Sequence, residues 1–160
     1  MKNIIDQPVP QGKYLSAIRH ADLIYTSGMT PRKSGNLIYS GKIKISDPIE
    51  SHKGAVRLAT LNALTASKSC LVQGERISLI LQLNVFLNAE QGFTEHAKIA
   101  DYASDLLIEN LGNSCIGTRA AIGVASLPSN ATVENNIDCK NNVITKSIIK
   151  FYYLKHIINS

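Results

Sequence analysis

The sequence predicts an α+β fold in which one mixed β-sheet carries two helices on a single face. Three observations lead there. Residues Ile77 to Leu87 alternate apolar and polar side chains, as a strand with one buried face does. Two segments, 48–70 and 95–111, repeat apolar residues at steps of three and four, the mark of amphipathic helices. The elements run hairpin, helix, long strand, helix, strand, strand, and strands joined through helices lie in one sheet with right-handed crossovers.

Taken in order, Leu23 to Ser27 (LIYTS) and Leu37 to Ser40 (LIYS) are β-branched and aromatic runs separated by Pro31, Ser34, Gly35 and Asn36, and read as a hairpin. Asp47, Pro48 and Glu50 supply an N-cap, a first-turn proline and a capping-box acid for the first helix. Val56, Ala59, Ala63, Ala66 and Cys70 form its apolar stripe, and Gly74 can end it. In the following strand Ile77, Leu79, Leu81, Leu83, Val85 and Leu87 share one parity, so one face is expected to be buried throughout. Thr94 caps the second helix, whose stripe is Ile99, Ala103, Leu106, Leu107 and Leu111, with Gly112 as the stop. Arg119 to Ala125 is another strand. After Pro128 a polar Ser129–Asn130 turn leads to a last strand beginning at Thr132, Val133 and Glu134.

The 160-residue length suits one compact domain. With 44% hydrophobic and 18% charged residues the chain can bury a core, which excludes a disordered or fibrous class. The formal net charge is +5, but it is unevenly spread. Residues 1–135 hold 13 basic and 11 acidic side chains, whereas residues 136–160 hold four Lys and one Asp. The body is nearly balanced, so composition points away from nucleic acid as a partner.

Cys70, Cys115 and Cys139 form no CxxC pair and share no ligand spacing with histidine, so neither a disulfide framework nor a metal site is expected. The first residues, MKNIIDQPVPQGK, contain no apolar run of signal-peptide length, and no stretch is long and apolar enough for a membrane helix. A cytoplasmic protein without membrane partners is the expectation.

Three segments then carry a family resemblance: YTSGMTP (Tyr25 to Pro31), RLATLNAL (Arg57 to Leu64) and TRAAIGVASLPSNATVE (Thr118 to Glu134). Together they resemble the reactive intermediate deaminase family, also called Rid or YjgF and formerly endoribonuclease L-PSP. The most specific part is an Arg followed, at fixed spacing, by Leu-Pro and a terminal Val-Glu. The resemblance implies a chorismate-mutase-like fold over residues 1–134, assembled as a homotrimer around a central barrel. It also implies small-molecule sites in the clefts between subunits and no cofactor.

By the same resemblance Arg119 binds the carboxylate of an enamine or imine acid and Glu134 places the attacking water. Ser27 and Tyr14 supply hydroxyl groups for substrate binding. The implied activity is hydrolysis of 2-aminoacrylate or 2-iminobutanoate type substrates to 2-oxo acids and ammonia. Such chemistry fits these residue types, because a planar guanidinium grips a carboxylate through two parallel hydrogen bonds and a carboxylate can orient or deprotonate water. The chain differs from the family's usual pattern in having Thr118 before the Arg, Ala121 where a Cys is frequent, and Asn135 after the Glu.

Two other readings are open. One is a non-catalytic trimer that binds small carboxylates and regulates a partner; the other is a ribonuclease or translation inhibitor. His20, His52, His96 and His156 share no spacing that would make a catalytic pair. Residues 135–160 contain six Ile, five Asn and four Lys, and NNIDCKNN lacks the apolar alternation of a buried strand. They are expected to pair or pack poorly and to form a divergent basic tail.

Overall fold

The computed structural model describes residues 7–143. Strands β1 (Ala17–His20) and β2 (Leu23–Thr26) form a hairpin through a two-residue turn, with Ala21 in the left-handed region at φ 54°. A second, two-rung hairpin joins β3 (Arg32–Lys33) to β4 (Asn36–Leu37). A 3-10 turn (Ile49–His52) precedes helix α1 (Lys53–Ser69). Then follow β5 (Glu75–Asn88), helix α2 (His96–Leu111), β6 (Thr118–Val124) and β7 (Val133–Val143).

The five long strands make one sheet in the order β1-β2-β7-β5-β6. Only β5 and β6 are parallel, joined by α2; the other neighbours are antiparallel. The α+β class with two helices on one face is as expected. Ile24, Leu64, Ile80, Leu87, Ile99 and Leu107 are completely buried between the sheet and the helices, each stabilising the fold by about 1.5–3 kcal/mol relative to exposure. Ala55, Ala59 and Ala63 are buried on α1, where small side chains let the helix approach the sheet. Arg57 and Glu109 tie the exposed sides of the helices together, Arg57 Nη2 lying 2.6 Å from Glu109 Oε2.

Several local expectations are corrected. LIYT pairs with AIRH, not with LIYS, because a two-residue turn brings β1 and β2 into register before the longer loop can compete. Asp47 caps no helix: its Oδ2 accepts from the Lys44 N–H at 2.9 Å, closing a local turn. Likewise α2 starts at His96 without a side-chain cap from Thr94. Gly74, at φ +86°, turns the chain into β5 after α1 has already ended. The strict parity of β5 is broken by two irregularities, between Ile77 and Leu79 and between Ile80 and Gln82. Ile77, Ile80, Leu83, Val85 and Leu87 are therefore the buried set, and Leu79 and Leu81 are not.

The largest correction concerns the chain after Glu134. Instead of pairing poorly, residues 135–143 continue β7, which lies between β2 and β5 at the centre of the sheet. Asn135, Ile137, Cys139 and Asn141 all point into the helix-covered face. The alternation is real, but two of its members are Asn and one is Cys, so a hydropathy pattern misses it. Asn135 is accommodated because its Nδ2 donates to Thr60 Oγ1 at 2.8 Å on α1. Cys139 behaves as a small apolar side chain, and burial pushes its thiol up to about 11. The domain boundary placed at residue 134 thus falls inside a strand; residues 144–160 of the expected tail lie outside the described residues.

Candidate functional site

Cross-strand partners share a face of the sheet. Leu83 on β5 is paired with Ile137 on β7 and with Arg119 on β6, which puts Arg119 on the helix-covered face. Phe86 is paired with Glu134, which puts Glu134 on the opposite, open face. Arg119 and Glu134 thus leave the sheet in opposite directions, and they stand on strands separated by β5.

Arg119 is held against α2. Its Nη1 donates to Asp101 Oδ1 at 2.8 Å and to Ser104 Oγ at 2.9 Å, and its Nη2 donates to the Ala97 carbonyl at 3.3 Å. Asp101 and Ser104 are three residues apart and therefore neighbours on one side of the helix. Of the five guanidinium hydrogens, three are committed; Nε–H and one on Nη2 remain, the number a bidentate carboxylate needs. Ala121 and Gly123 extend the same face of β6. The His96 imidazole at the start of α2 lies over Gly123, so a β-carbon there would require the ring to move. His96 is stacked edge-on against Phe93 at a centroid distance of 5.1 Å.

Glu134 lies at the other end of the candidate set, with Ser27 and Tyr14. Its carboxylate rests directly on the α-carbon of Gly28, so closely that any β-carbon at position 28 would overlap it. Burial alone raises the pKa of Glu134 above the ordinary carboxylate value. The neighbouring Ser27 Oγ donates to the Leu15 carbonyl at 2.7 Å, and Ser27 N–H donates to the Ser16 carbonyl at 3.0 Å, so the serine ties β2 to the N-terminal lead. Tyr14 is nearly half exposed; its hydroxyl accepts from the Gln11 N–H at 3.2 Å and its ring lines a cavity of about 420 Å³ that also borders Gly28. The Ser27–Gly28 corner therefore gathers Tyr14, Ser27 and Glu134, while Arg119 stands apart.

Sequence reasoning missed Asp101 and Ser104, whose signal is their three-residue spacing on the polar side of α2. It also missed the reason for Gly28, the glycine within TSG, because only the structure shows that Glu134 occupies the space. His52, with Nε2 at 3.4 Å from Asp47, and His96 each have a local partner, and no two are brought together as a catalytic pair by these contacts. Among the described residues no three or more His, Cys, Asp or Glu side chains are grouped to hold a metal ion, and no helix is long and apolar enough to cross a membrane.

The fold and this residue set define a class, a chorismate-mutase-like α+β protein with an arginine on one edge strand and a glutamate beside a TSG corner. The chain belongs to the YjgF family: residues 10–136 match the family described as "YjgF/chorismate mutase-like, putative endoribonuclease". It is 30% identical over 127 residues to Protein TCP17 of Trypanosoma cruzi, spanning 78% of this chain and 79% of that protein. Among solved structures it is similar to protein Atu1372 of Agrobacterium tumefaciens, described as of unknown function, with TM-score 0.74 and 30% identity over 84% of this chain and 87% of the other. It is also similar to a Shewanella oneidensis protein described as a "putative endoribonuclease", with TM-score 0.75 and 29% identity over 84% and 89%. The Escherichia coli protein TdcF, solved with bound serine, shares the fold at TM-score 0.60 and 19% identity over 84% and 92%.

Proposed function

We propose that this protein is a hydrolytic deaminase that converts small enamine and imine acids of the 2-aminoacrylate or 2-iminobutanoate type to 2-oxo acids and ammonia. The observation that carries the reading is the placement of Arg119 and Glu134 on opposite faces of one sheet. One chain cannot present both groups to a molecule of six or seven heavy atoms. A site becomes complete when the β6 edge of one copy meets the Gly28 corner of the next, and the proposed assembly is a cytoplasmic homotrimer with three such clefts. Ile18, Tyr25 and Ile122, exposed at 56%, 41% and 43%, lie on or beside the open face and give a second copy apolar area to cover.

In the proposed reaction the two free donors of Arg119 hold the substrate carboxylate, and the Ser27 and Tyr14 hydroxyls line the opposing wall. Water, positioned by the Glu134 carboxylate, adds its oxygen to the carbon of the protonated imine while Glu134 takes one of its protons. Glu134 then passes that proton to the nitrogen of the carbinolamine, the C–N bond breaks as the ionised Glu134 takes the hydroxyl proton, ammonia leaves and the carbonyl of the 2-oxo acid forms. A carboxyl whose pKa is raised by burial is nearer the range in which such a shuttle works at neutral pH. The substrate is reactive by itself, so the chain's own residues meet every step without a cofactor.

Hydrolysis of 2-iminobutanoate, generated in the assay and followed by its decay, tests the reading. Turnover by the purified protein, lost in Arg119→Ala, supports it; decay at the uncatalysed rate overturns it. Saturable 2-oxobutanoate binding without turnover would instead select the carboxylate-binding regulator, and RNA cleavage that survives Arg119→Ala would select the ribonuclease reading.

A further inference from the structure

We propose that the cavity enclosed by the N-terminal lead, the β3–β4 turn and helix α1 is a binding site for an amphipathic monoanion, a compact aromatic or aliphatic body bearing one carboxylate. Its volume of about 420 Å³ lies within the range of small-ligand pockets, roughly 300–1,000 Å³. Val9, Met29, Leu58 and Leu61 supply apolar wall and Tyr14 an aromatic ring. Among the described residues lining it the charged ones are Arg32 and Lys33, and none is acidic.

Arg32 is fixed but not neutralised. Nε donates to Thr30 Oγ1 at 3.1 Å, Nη1 to the Gly35 carbonyl at 2.8 Å and Nη2 to Ser129 Oγ at 3.0 Å. All three acceptors are uncharged, and one hydrogen remains on each terminal nitrogen. Among the described residues neither Arg32 nor Lys33 forms an ion pair. A site whose described lining carries two cations outside any ion pair, beside apolar wall, selects a ligand that joins one anionic group to an apolar body.

The walls are built before any ligand arrives. Asn62 Nδ2 donates to the Thr30 and Arg32 carbonyls at 3.0 and 2.9 Å, pinning the loop to α1, and Ser16 Oγ donates to the Pro8 carbonyl at 2.9 Å, pinning the lead. The cavity is on the helix side of the Gly28 backbone, Glu134 is on the open side, and Arg119 is on the far edge strand. It shares Tyr14 and Gly28 with the Ser27–Gly28 corner, but its cations are Arg32 and Lys33, so it is an anion site beside the proposed catalytic cleft that does not use Arg119.

Isothermal titration of the full chain with naphthalene-2-carboxylate tests the proposal, with 2-naphthamide as the uncharged control. Expected are saturable binding of one molecule per chain and affinity for the amide lower by about tenfold or more, as for loss of a charge-assisted hydrogen bond. The double variant Arg32→Gln, Lys33→Gln should lose affinity likewise, and Leu61→Trp, which fills the cavity from α1, should abolish binding while the far-ultraviolet spectrum stays native. No saturable heat, equal affinity for acid and amide, or binding that disappears in Arg119→Ala would each overturn it.

Discussion

Gly28 and Glu134 are locked together: the carboxylate of one occupies the space that any side chain on the other would need. The contact joins the TSG corner to the start of β7 and fixes where the carboxylate points. Gly28→Ala should therefore displace Glu134 or the 27–29 backbone. Turnover of 2-iminobutanoate is expected to fall by about one to two orders of magnitude, since a misplacement of about 1 Å can cost that much. Thermal unfolding together with the imine assay distinguishes this displacement from simple unfolding.

Raised by burial, the pKa of Glu134 also predicts a pH dependence whose sign is definite. A carboxyl that binds its proton more tightly in the folded state contributes stability below the ordinary carboxylate pKa, and that contribution is lost as pH rises through the raised value. At neutral pH the ionised form is a cost, so Glu134→Gln should melt higher than wild type there and the difference should vanish in acid. Turnover has the opposite trend, rising with pH as Glu134 ionises to accept the water's proton.

Glu75 behaves in the reverse way. The hydrogen bonds from Arg19, at 2.7 and 2.8 Å, are the main cause of its lowered pKa, and the Val72 N–H adds another at 3.0 Å. Its stabilisation is present above the ordinary carboxylate pKa and is lost as pH falls through the depressed value. A melting-temperature profile from neutral to acidic pH should fall in that window, and Glu75→Gln should flatten it.

Asn135 offers a test of the last strand. Its amide is buried on the helix face and donates to Thr60 Oγ1. Asn135→Ala leaves the hydroxyl without that donor and opens space under α1, with an expected loss of about 1–3 kcal/mol. Chemical denaturation should show it as a shifted midpoint with an unchanged slope.

The sequence made the two helices and β6 legible because their periodicities are strong, whereas Arg119, Glu134, Ser27 and Tyr14 were candidates through the family resemblance alone. It failed for β7, where Asn135, Cys139 and Asn141 are inward residues whose partners, Thr60 for Asn135, Ser67 for Cys139 and Glu75 for Asn141, no local pattern records. Nor could it show the bulges of β5, which swap Ile80 for Leu79 and Leu81 in the core. That Arg119 and Glu134 stand on opposite faces of the sheet was not legible, because facing is set by register between strands distant in sequence.

Arg119 and Glu134 on opposite faces make the shared site the central claim, and subunit complementation tests it most directly. Arg119→Ala and Glu134→Gln proteins, each inactive alone, are unfolded together, refolded as a mixture and assayed for 2-iminobutanoate hydrolysis. If each site draws its arginine and its glutamate from different copies, random mixing restores both groups at about one site in four, and activity near a quarter of wild type should return. A mixture as inactive as its components, although mass measurement shows mixed oligomers, would contradict the account.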